Sequence, residues 1–307
     1  MLQIPHIFYA FDQGFRYCSV LSAFSVLRQR REKETRITLL TPEALPGVSE
    51  AVKTLNKCFK HAEVRNIVDP KMNFDIKAGN RLPPAAYGRI LLPDHASDRV
   101  IYLDGDTLVI RDIGEIYKVD LDDALVAAVR DLAVEERMYR HRKGEKVKSR
   151  RLFEMNSEHP DLVDLETYFN SGVVVMDLPR IRSEGLIEQI FNIDRARIFK
   201  EKYRTNFDDQ DWLNHCFKGR IHLLPQEWNV FPKNRQTAEL PYPKQRQDDY
   251  AIARENAALI HYVTKKKPWQ SWRLKVFGAR RAYYKLYAQV MQEMEQELGP
   301  CVKDLLR

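Results

Sequence analysis

The chain has 307 residues, enough for one large domain or two small ones, and its 44% hydrophobic content is typical of a folded globular protein rather than a disordered one. Lysine and arginine total 50 against 43 aspartates and glutamates, and this surplus predicts an anionic partner such as nucleic acid, a membrane surface or a phosphorylated substrate. No apolar run reaches the ~18 residues of a membrane span, and the four scattered cysteines form no CxxC pair, so we expect a cytoplasmic protein without structural disulfides.

Strand-like and helix-like segments alternate in the first hundred residues. Continuous apolar runs predict strands over residues 5–10, 36–41, 62–68 and 99–103. Apolar residues at three- and four-residue spacing predict helices over 16–30, 49–59 and 83–92. Such apolar strands, alternating with helices, indicate an α/β fold in which helices flank a mainly parallel sheet on both faces.

The rest of the chain continues this alternation around a strongly basic stretch. Further strands are predicted over residues 124–129, 172–176, 221–224 and 257–261, and further helices over 208–217 and 279–298. Lysine and arginine dominate residues 130–151. We therefore expect an exposed, mobile basic insertion over about residues 132–160.

The strongest local signal is Asp104-Gly105-Asp106, which directly follows the apolar run 99–103. Ligands of open α/β sheets bind beyond the carboxyl ends of strands, and two carboxylates separated by one glycine can reach a single hard cation there. Gly105 would let the backbone pass close to a ligand. The same residues suit an acidic hairpin turn, since Asp-Gly is also a common hairpin signal.

Six segments resemble, in the same order, those of the retaining glycosyltransferases of family 8. They are Ala10–Phe15, Ala85–Ile90, Asp104–Asp106, Phe169–Val173, Phe207–Asp211 and His261–Trp269. The resemblance covers roughly residues 4–275 and depends on all six segments together. It implies a Rossmann-like catalytic domain of the GT-A type over residues 1–268, followed by a basic, aromatic C-terminal helical extension over 269–307.

The resemblance implies three metal ligands, namely Asp104, Asp106 and His261. Two carboxylates and one imidazole suit Mn²⁺ better than Mg²⁺, which prefers oxygen ligands and water. Without the resemblance, a hydrogen-bonded histidine at a strand end is the simpler interpretation of His261.

The resemblance also implies residues that contact a UDP-sugar donor. These are Ala10 and Asp12 near the uracil, and Arg89, Gly105 and Lys267 near the diphosphate. Taken alone, Asp12 suits a helix cap equally well, and each of the two basic residues suits an ordinary surface or helix-face cation.

Four more polar residues are implied on the side of the donor sugar and the acceptor: Asn170, Asp209, Gln210 and Asp131. The acidic residues at 208, 209 and 211 also suit a first helical turn, where the helix dipole favours negative charge. Gln210 lies where a nucleophile would be sought, but an amide is a poor nucleophile. A front-face route, in which the leaving phosphate takes the acceptor's proton, avoids that difficulty.

The resemblance thus implies a metal-dependent hexosyltransferase. It would transfer galactose or glucose from UDP-hexose, with retention, to a glycan acceptor such as a lipid-linked lipopolysaccharide core. A metal-dependent nucleotidyltransferase could also use the Asp104–Asp106 pair. A nucleic-acid-binding protein fits the basic charge, but the chain shows no recognised nucleic-acid-binding motif, so no nucleic acid partner is expected.

The C-terminal region carries the charge surplus. Residues 256–292 contain eight lysines and arginines and no aspartate or glutamate, interleaved with aromatic residues such as Trp269, Trp272 and Tyr287. One interpretation is an amphipathic helix that packs on the catalytic domain. The other is a peripheral membrane contact on the inner face of the cell membrane, with aromatic rings at headgroup level and basic residues facing anionic lipid.

Overall fold

A seven-stranded sheet forms the centre of the protein. The structure, a computed structural model, describes residues 4–73, 84–147, 150–205, 207, 209–232, 242–263, 267–269 and 279–306. The strands of this part of the chain are β1 (His6–Ala10), β2 (Thr35–Thr41), β3 (Ala62–Val68), β4 (Arg99–Leu103), β5 (Thr107–Val109), β6 (Val126–Arg130), β7 (Phe169–Asp177), β8 (Ile221–Leu223) and β9 (Leu259–His261).

The sheet is mainly parallel, as predicted. Its strand order is β3-β2-β1-β4-β7-β6-β8, and only β7 runs antiparallel to its neighbours. The ends of β1, β4, β6 and β8 and the start of β7 therefore meet at one edge. Strands β5 and β9 form a separate antiparallel pair.

Helices surround the sheet. In the described residues they are α1 (Arg16–Gln29), α2 (Val48–Cys58), α3 (Leu92–His95), α4 (Gly114–Tyr117), α5 (Leu132–Arg142), α6 (Arg150–Glu158), α7 (Leu178–Ser183), α8 (Ile187–Ile190), α9 (Ile193–Tyr203), α10 (Asp209–Cys216), α11 (Lys244–Glu255), α12 (Ala279–Leu298) and α13 (Cys301–Leu306). A 3₁₀ segment, Pro84–Leu91, precedes α3. The predicted helix starts at Pro83 and Asp208 lie outside the described residues.

Both faces of the sheet are buried, which explains the continuous apolar runs of its strands. In β1, Ile7 and Tyr9 belong to the core on the side of α1 and α12, whereas Phe8 and Ala10 belong to the core on the side of α10. Successive side chains of a strand point to opposite faces. A strand that is covered on both sides must therefore be apolar at every position.

The expectation of an exposed basic insertion is wrong for one face of α5. Val134, Glu135 and Met138 are at most 3% exposed, and Leu152 and Met155 of α6 are also buried. The apolar residues among them, Val134 and Met138 on α5 and Leu152 and Met155 on α6, form a stripe at three- and four-residue spacing that the surrounding charges obscure in the sequence. The basic side chains of Arg140 and Arg142 on α5 are more exposed, at 28% and 53%.

Helix α12 packs on the rest of the protein, as the first of the two interpretations of the C-terminal region predicts. Tyr287, Val290, Met294 and Leu298 are buried in the core that includes α1. Arg28 on α1 also pairs with Glu293 at 2.6 Å. The expected position of Tyr287 at lipid headgroup level is therefore wrong, because its ring faces the protein interior.

Much of the basic C-terminal stretch, including Trp272, lies outside the described residues. The domain boundary at residues 268 and 269 stays a prediction. In the parts of the chain that the structure describes, no helix combines the length and the apolarity needed to cross a membrane.

Candidate functional site

A cleft of about 250 Å³ opens at the edge of the sheet where β1 and β4 end and β7 begins. Most of the predicted site residues line it, and Asp131, Asp209 and Gln210 lie outside its lining. The lining residues are Ala10, Phe11, Asp12, Phe15, Arg89, Tyr102, Asp104, Gly105, Asp106, Asn170, His261, Val263 and Lys267.

Asp104, Asp106 and His261 form a cluster in this cleft. One ligand atom from each lies within 4.8 Å of the others, and His261 Nε2 is 3.0 Å from Asp106 Oδ1 and 3.7 Å from Asp104 Oδ2. The cluster forms because β5 pairs with β9, which places Thr107 opposite His261. Strand pairing thus brings an imidazole to two carboxylates that are far away in the sequence.

The surroundings of His261 suit a divalent cation. Its Nδ1 lies 3.1 Å from Asn229 Oδ1, and the Nδ2 of Asn229 donates to Asn170 Oδ1 at 2.9 Å. The side-chain oxygen of Asn229 accepts the Nδ1 proton, so the other ring nitrogen, Nε2, points at the two carboxylates. Two carboxylates and one imidazole nitrogen that converge in this way fit a metal ion.

Two glycines make room for the cluster. A Cβ at Gly172 would lie 2.4 Å from His261 Cε1 and 2.5 Å from Asp104 Oδ2. A Cβ at Gly105 would lie 2.0 Å from Ser19 Oγ on α1. The close approach that requires Gly105 is therefore made to α1, whereas the sequence predicted an approach to a ligand.

Two basic side chains contact the acidic pair from opposite sides. Lys267 Nζ is 2.5 Å from Asp106 Oδ2, and it also donates to the carbonyl of Tyr262 at 2.6 Å. Burial alone would raise the pKa of Asp106, but the imidazole of His261 and the ammonium of Lys267 outweigh it and hold that pKa well below its ordinary value.

Arg89 connects Asp104 to a second buried carboxylate. Its Nη2 is 2.9 Å from Asp104 Oδ1, and its Nε is 3.0 Å from Asp209 Oδ2. Its guanidinium also lies 4.4 Å from the centroid of the Tyr102 ring. Asp209 is 2% exposed, and burial raises its pKa to about 6 although Arg89 opposes the shift.

A network of amides and one carboxylate lies behind the cleft. Asp131 Oδ1 accepts from the backbone N–H groups of Ala133 and Val134 and so caps α5. Asp131 Oδ2 accepts from Asn170 at 3.0 Å and from Gln210 Nε2 at 3.2 Å. Gln210 Oε1 in turn accepts from the Asn170 amide at 3.1 Å. Both ends of the Gln210 amide are therefore held by the protein.

Asp12 is positioned as a cap, one of its two predicted roles. Its Oδ1 accepts from the backbone N–H of Gly14 at 2.9 Å, while the residue still lines the cleft. Ala10, at the end of β1, is 9% exposed and also lines the cleft.

Sequence reasoning missed Asn229, Tyr102 and Val263. Asn229 is fully buried and orients both His261 and Asn170. The sequence signal that could have identified Asn229 is an amide side chain between two apolar residues, Trp228 and Val230. When such a polar side chain is buried, it requires hydrogen-bond partners. Tyr102 resembles an ordinary strand residue, and no signal set it apart.

Solved structures identify the class of fold. The galactosyltransferase LgtC, solved in complex with donor and acceptor sugar analogs, superposes with a TM-score of 0.68 over 94% of this chain and 95% of that chain, at 22% identity. The architecture is thus that of a GT-A glycosyltransferase. The model of glycosyl transferase family 8 matches residues 6–273, and the chain belongs to this family.

Two curated relatives are similar to parts of this chain, and one of them is named a glucosyltransferase. General stress protein A of Bacillus subtilis is 30% identical over 208 residues, which are 66% of this chain and 65% of that protein. The lipopolysaccharide 1,2-glucosyltransferase of Escherichia coli K12 is 33% identical over 175 residues, which are 57% of this chain and 45% of that protein. The matches therefore span less than two thirds of either relative.

Proposed function

We propose that this chain is a metal-dependent retaining hexosyltransferase that transfers galactose or glucose from UDP-hexose to a hydroxyl group of a glycan. The observation that carries this proposal is the cluster of Asp104, Asp106 and His261 in a cleft that Lys267 also lines. The relatives support the choice of sugars, since one is named a glucosyltransferase and another a galactosyltransferase. Family membership favours this function over the nucleotidyltransferase alternative.

Asp104, Asp106 and His261 would hold the cation, Mn²⁺ or Mg²⁺, which when bound supplies positive charge next to the departing diphosphate. The mixed oxygen and nitrogen ligands favour Mn²⁺. Lys267 is the second source of positive charge, because its ammonium already lies within the cleft beside Asp106. Arg89 orients Asp104 from behind through its 2.9 Å contact.

The uracil end of the donor would lie where β1 ends. Ala10 and Asp12 line the cleft there together with the rings of Phe11 and Phe15. An aromatic wall suits the flat face of a base, and the second oxygen of Asp12 can accept from the imide N–H.

On the sugar side, Asn170 is the residue that lines the cleft, and Gln210 and Asp131 hold it from behind. We assign Gln210 and Asp131 to positioning Asn170. Both polar atoms of the Gln210 amide are already hydrogen-bonded within the protein, which favours the front-face route over attack by this side chain. In that route the acceptor oxygen bonds to the anomeric carbon, the bond from that carbon to the phosphate oxygen breaks, and the acceptor's proton passes to the leaving phosphate.

Thermal-shift measurements with UDP, CDP, GDP and a short oligonucleotide, each with and without Mn²⁺, test the proposal. We expect stabilisation by UDP only when Mn²⁺ is present, because the acidic pair repels a diphosphate without the cation. Equal stabilisation by all three nucleotides, or stabilisation by the oligonucleotide alone, would contradict it. A screen of UDP-sugars for donor hydrolysis would then identify the hexose.

We also propose a peripheral position at the inner face of the cell membrane, with a lipid-linked acceptor such as a lipopolysaccharide core. Arg281 and Lys285 are exposed one helical turn apart on α12, and the stretch 256–292 carries no acidic residue. Each basic residue near an anionic surface contributes about 1 kcal/mol. Flotation with phosphatidylglycerol vesicles should therefore weaken in the variant R281E/K285E, and equal flotation would contradict this placement.

A further inference from the structure

Tyr287 of the C-terminal helix α12 packs against both residues that neighbour Lys267, and Tyr284 of the same helix also packs against one of them, Tyr262, at 5.6 Å. Tyr287 is 1% exposed, and its ring packs edge-on against Tyr262 at 5.2 Å and lies 5.9 Å from the ring of Trp269. Tyr262 directly follows His261, and its carbonyl accepts from Lys267. Tyr287 therefore contacts both residues that flank Lys267 in space.

The ammonium of Lys267 lies between two aromatic rings. Its Nζ is 5.7 Å from the centroid of Trp269 and 5.9 Å from that of Phe15, and the two rings meet edge-on at 6.0 Å. Both distances are within the range in which a cation is attracted to a ring. Phe15 lines the cleft, so the aromatic contacts run from α12 to the cavity wall.

Local backbone structure does not hold Lys267 in place. Residues 267–269 belong to no helix or strand. A lysine has four rotatable bonds, and fixing them costs conformational entropy. The ammonium is held by its contacts with Asp106 and the Tyr262 carbonyl and by the neighbouring rings. Among the described residues with ring contacts, Tyr287 packs on both Tyr262 and Trp269.

We propose that Tyr287 is a positioning residue for Lys267, acting through Trp269 and Tyr262. The C-terminal helix then contributes to donor binding without lining the cleft. This role rests on the proposed function only in assigning UDP as the ligand of Lys267.

The test compares three single variants of the full chain. Tyr287→Leu keeps apolar volume and removes the ring. Tyr287→Phe keeps the ring, and in the described part of the chain the buried Tyr287 hydroxyl has no hydrogen-bond partner to lose. Val290→Ala is the matched control, because Val290 lies on the same helix in the same core, is fully buried and has an aliphatic side chain without a ring.

Two readouts separate positioning from general destabilisation. The first is the reactivity of Lys267, which is 13% exposed, toward an amine acetylating reagent, followed by peptide mass spectrometry. We expect a rise of about tenfold in Tyr287→Leu and little change in the other two variants. The second is the Kd for UDP with Mn²⁺ by calorimetry, which should weaken about tenfold in Tyr287→Leu alone.

The outcomes are distinct. If Lys267 stays protected in Tyr287→Leu, or if Val290→Ala exposes it as strongly at a matched loss of Tm, the positioning role is overturned. If Lys267 becomes reactive only in Tyr287→Leu while the wild type binds no UDP, the positioning role stands and the proposed function fails.

Discussion

The site has two halves, the metal cluster that lines the cleft and the buried group of residues behind it, and they differ in the pKa of their carboxylates. Asp106 and Asp209 are both buried carboxylates next to a basic group, yet the pKa of Asp106 is lowered and that of Asp209 is raised to about 6. Asp106 has two basic partners, His261 and Lys267. Asp209 has Arg89 and, nearby, the negative charges of Asp104 and Asp211. Burial raises the pKa of both carboxylates, and the neighbouring charges decide in which direction each pKa finally shifts.

The halves also differ in what they present to the cleft. The half built from β4, β5 and β9 presents carboxylate and imidazole atoms to the cavity. In the half built from the start of α5, β7 and α10, Asp131 and Gln210 lie behind the cleft and use their polar atoms on each other and on Asn170. The first half is suited to bind an ion and the second to hold one residue in place. Four predictions test this distinction.

The largest effect is expected from the first half. Asp106→Asn or His261→Ala should lower donor turnover by about 10²–10³, since each removes a group aimed at developing charge. Steady-state kinetics over a Mn²⁺ titration measures this, with Lys303→Ala on α13 as a remote control. An unchanged metal titration in both variants would refute the metal site.

Gly172→Ala should lower turnover about 10²-fold, nearly as much as the loss of a metal ligand. The reason is that the new methyl group collides with His261 and Asp104. The comparison variant is Gly185→Ala, where open space surrounds the backbone although its positive φ of 72° adds local strain. If Gly172→Ala loses stability without losing apparent Mn²⁺ affinity, the glycine serves packing rather than the cluster.

Asp209 predicts a pH dependence of stability. Its folded pKa of about 6 exceeds the unfolded value near 4, so its contribution is fully present below pH 4 and is lost as the pH rises through 6. The largest contribution of Asp209 to the free energy of unfolding is then roughly 2 to 3 kcal/mol. The free energy of unfolding of the wild type, measured with EDTA, should fall relative to Asp209→Asn between pH 4 and 7. Parallel curves would show that the pKa of Asp209 is not raised in the folded protein.

The smallest effect is expected from Gln210. If it only positions Asn170, then Gln210→Ala should lower kcat about tenfold with little change in Mn²⁺ affinity. Gln210→Glu is the informative partner, since it keeps the length of the side chain but places a carboxylate beside Asp131. A loss of turnover as large as that of Asp106→Asn would instead indicate direct participation in the reaction.

Most of the fold was predictable because its strands are buried on both faces and therefore carry an unbroken apolar signal. The runs at 5–10, 36–41, 62–68 and 99–103 correspond to β1, β2, β3 and β4. The prediction of an exposed segment was wrong for α5, because charged residues between the apolar ones obscure its apolar stripe in the sequence. The apolar run that begins directly after Asp106 corresponds to the short strand β5, but its pairing with β9 was not predicted, because the two strands are far apart in the sequence.

The sequence by itself determined an α/β protein with an Asp-Gly-Asp turn at a strand end, and six ordered segments that resemble one glycosyltransferase family. Only the tertiary structure decided which residues meet. His261 reaches Asp106 through the pairing of β5 with β9, Asn229 sets the orientation of that imidazole, and Tyr287 turns inward. These contacts depend on long-range packing and on the hydrogen-bond needs of buried polar groups, and neither is encoded in the spacing of nearby residues.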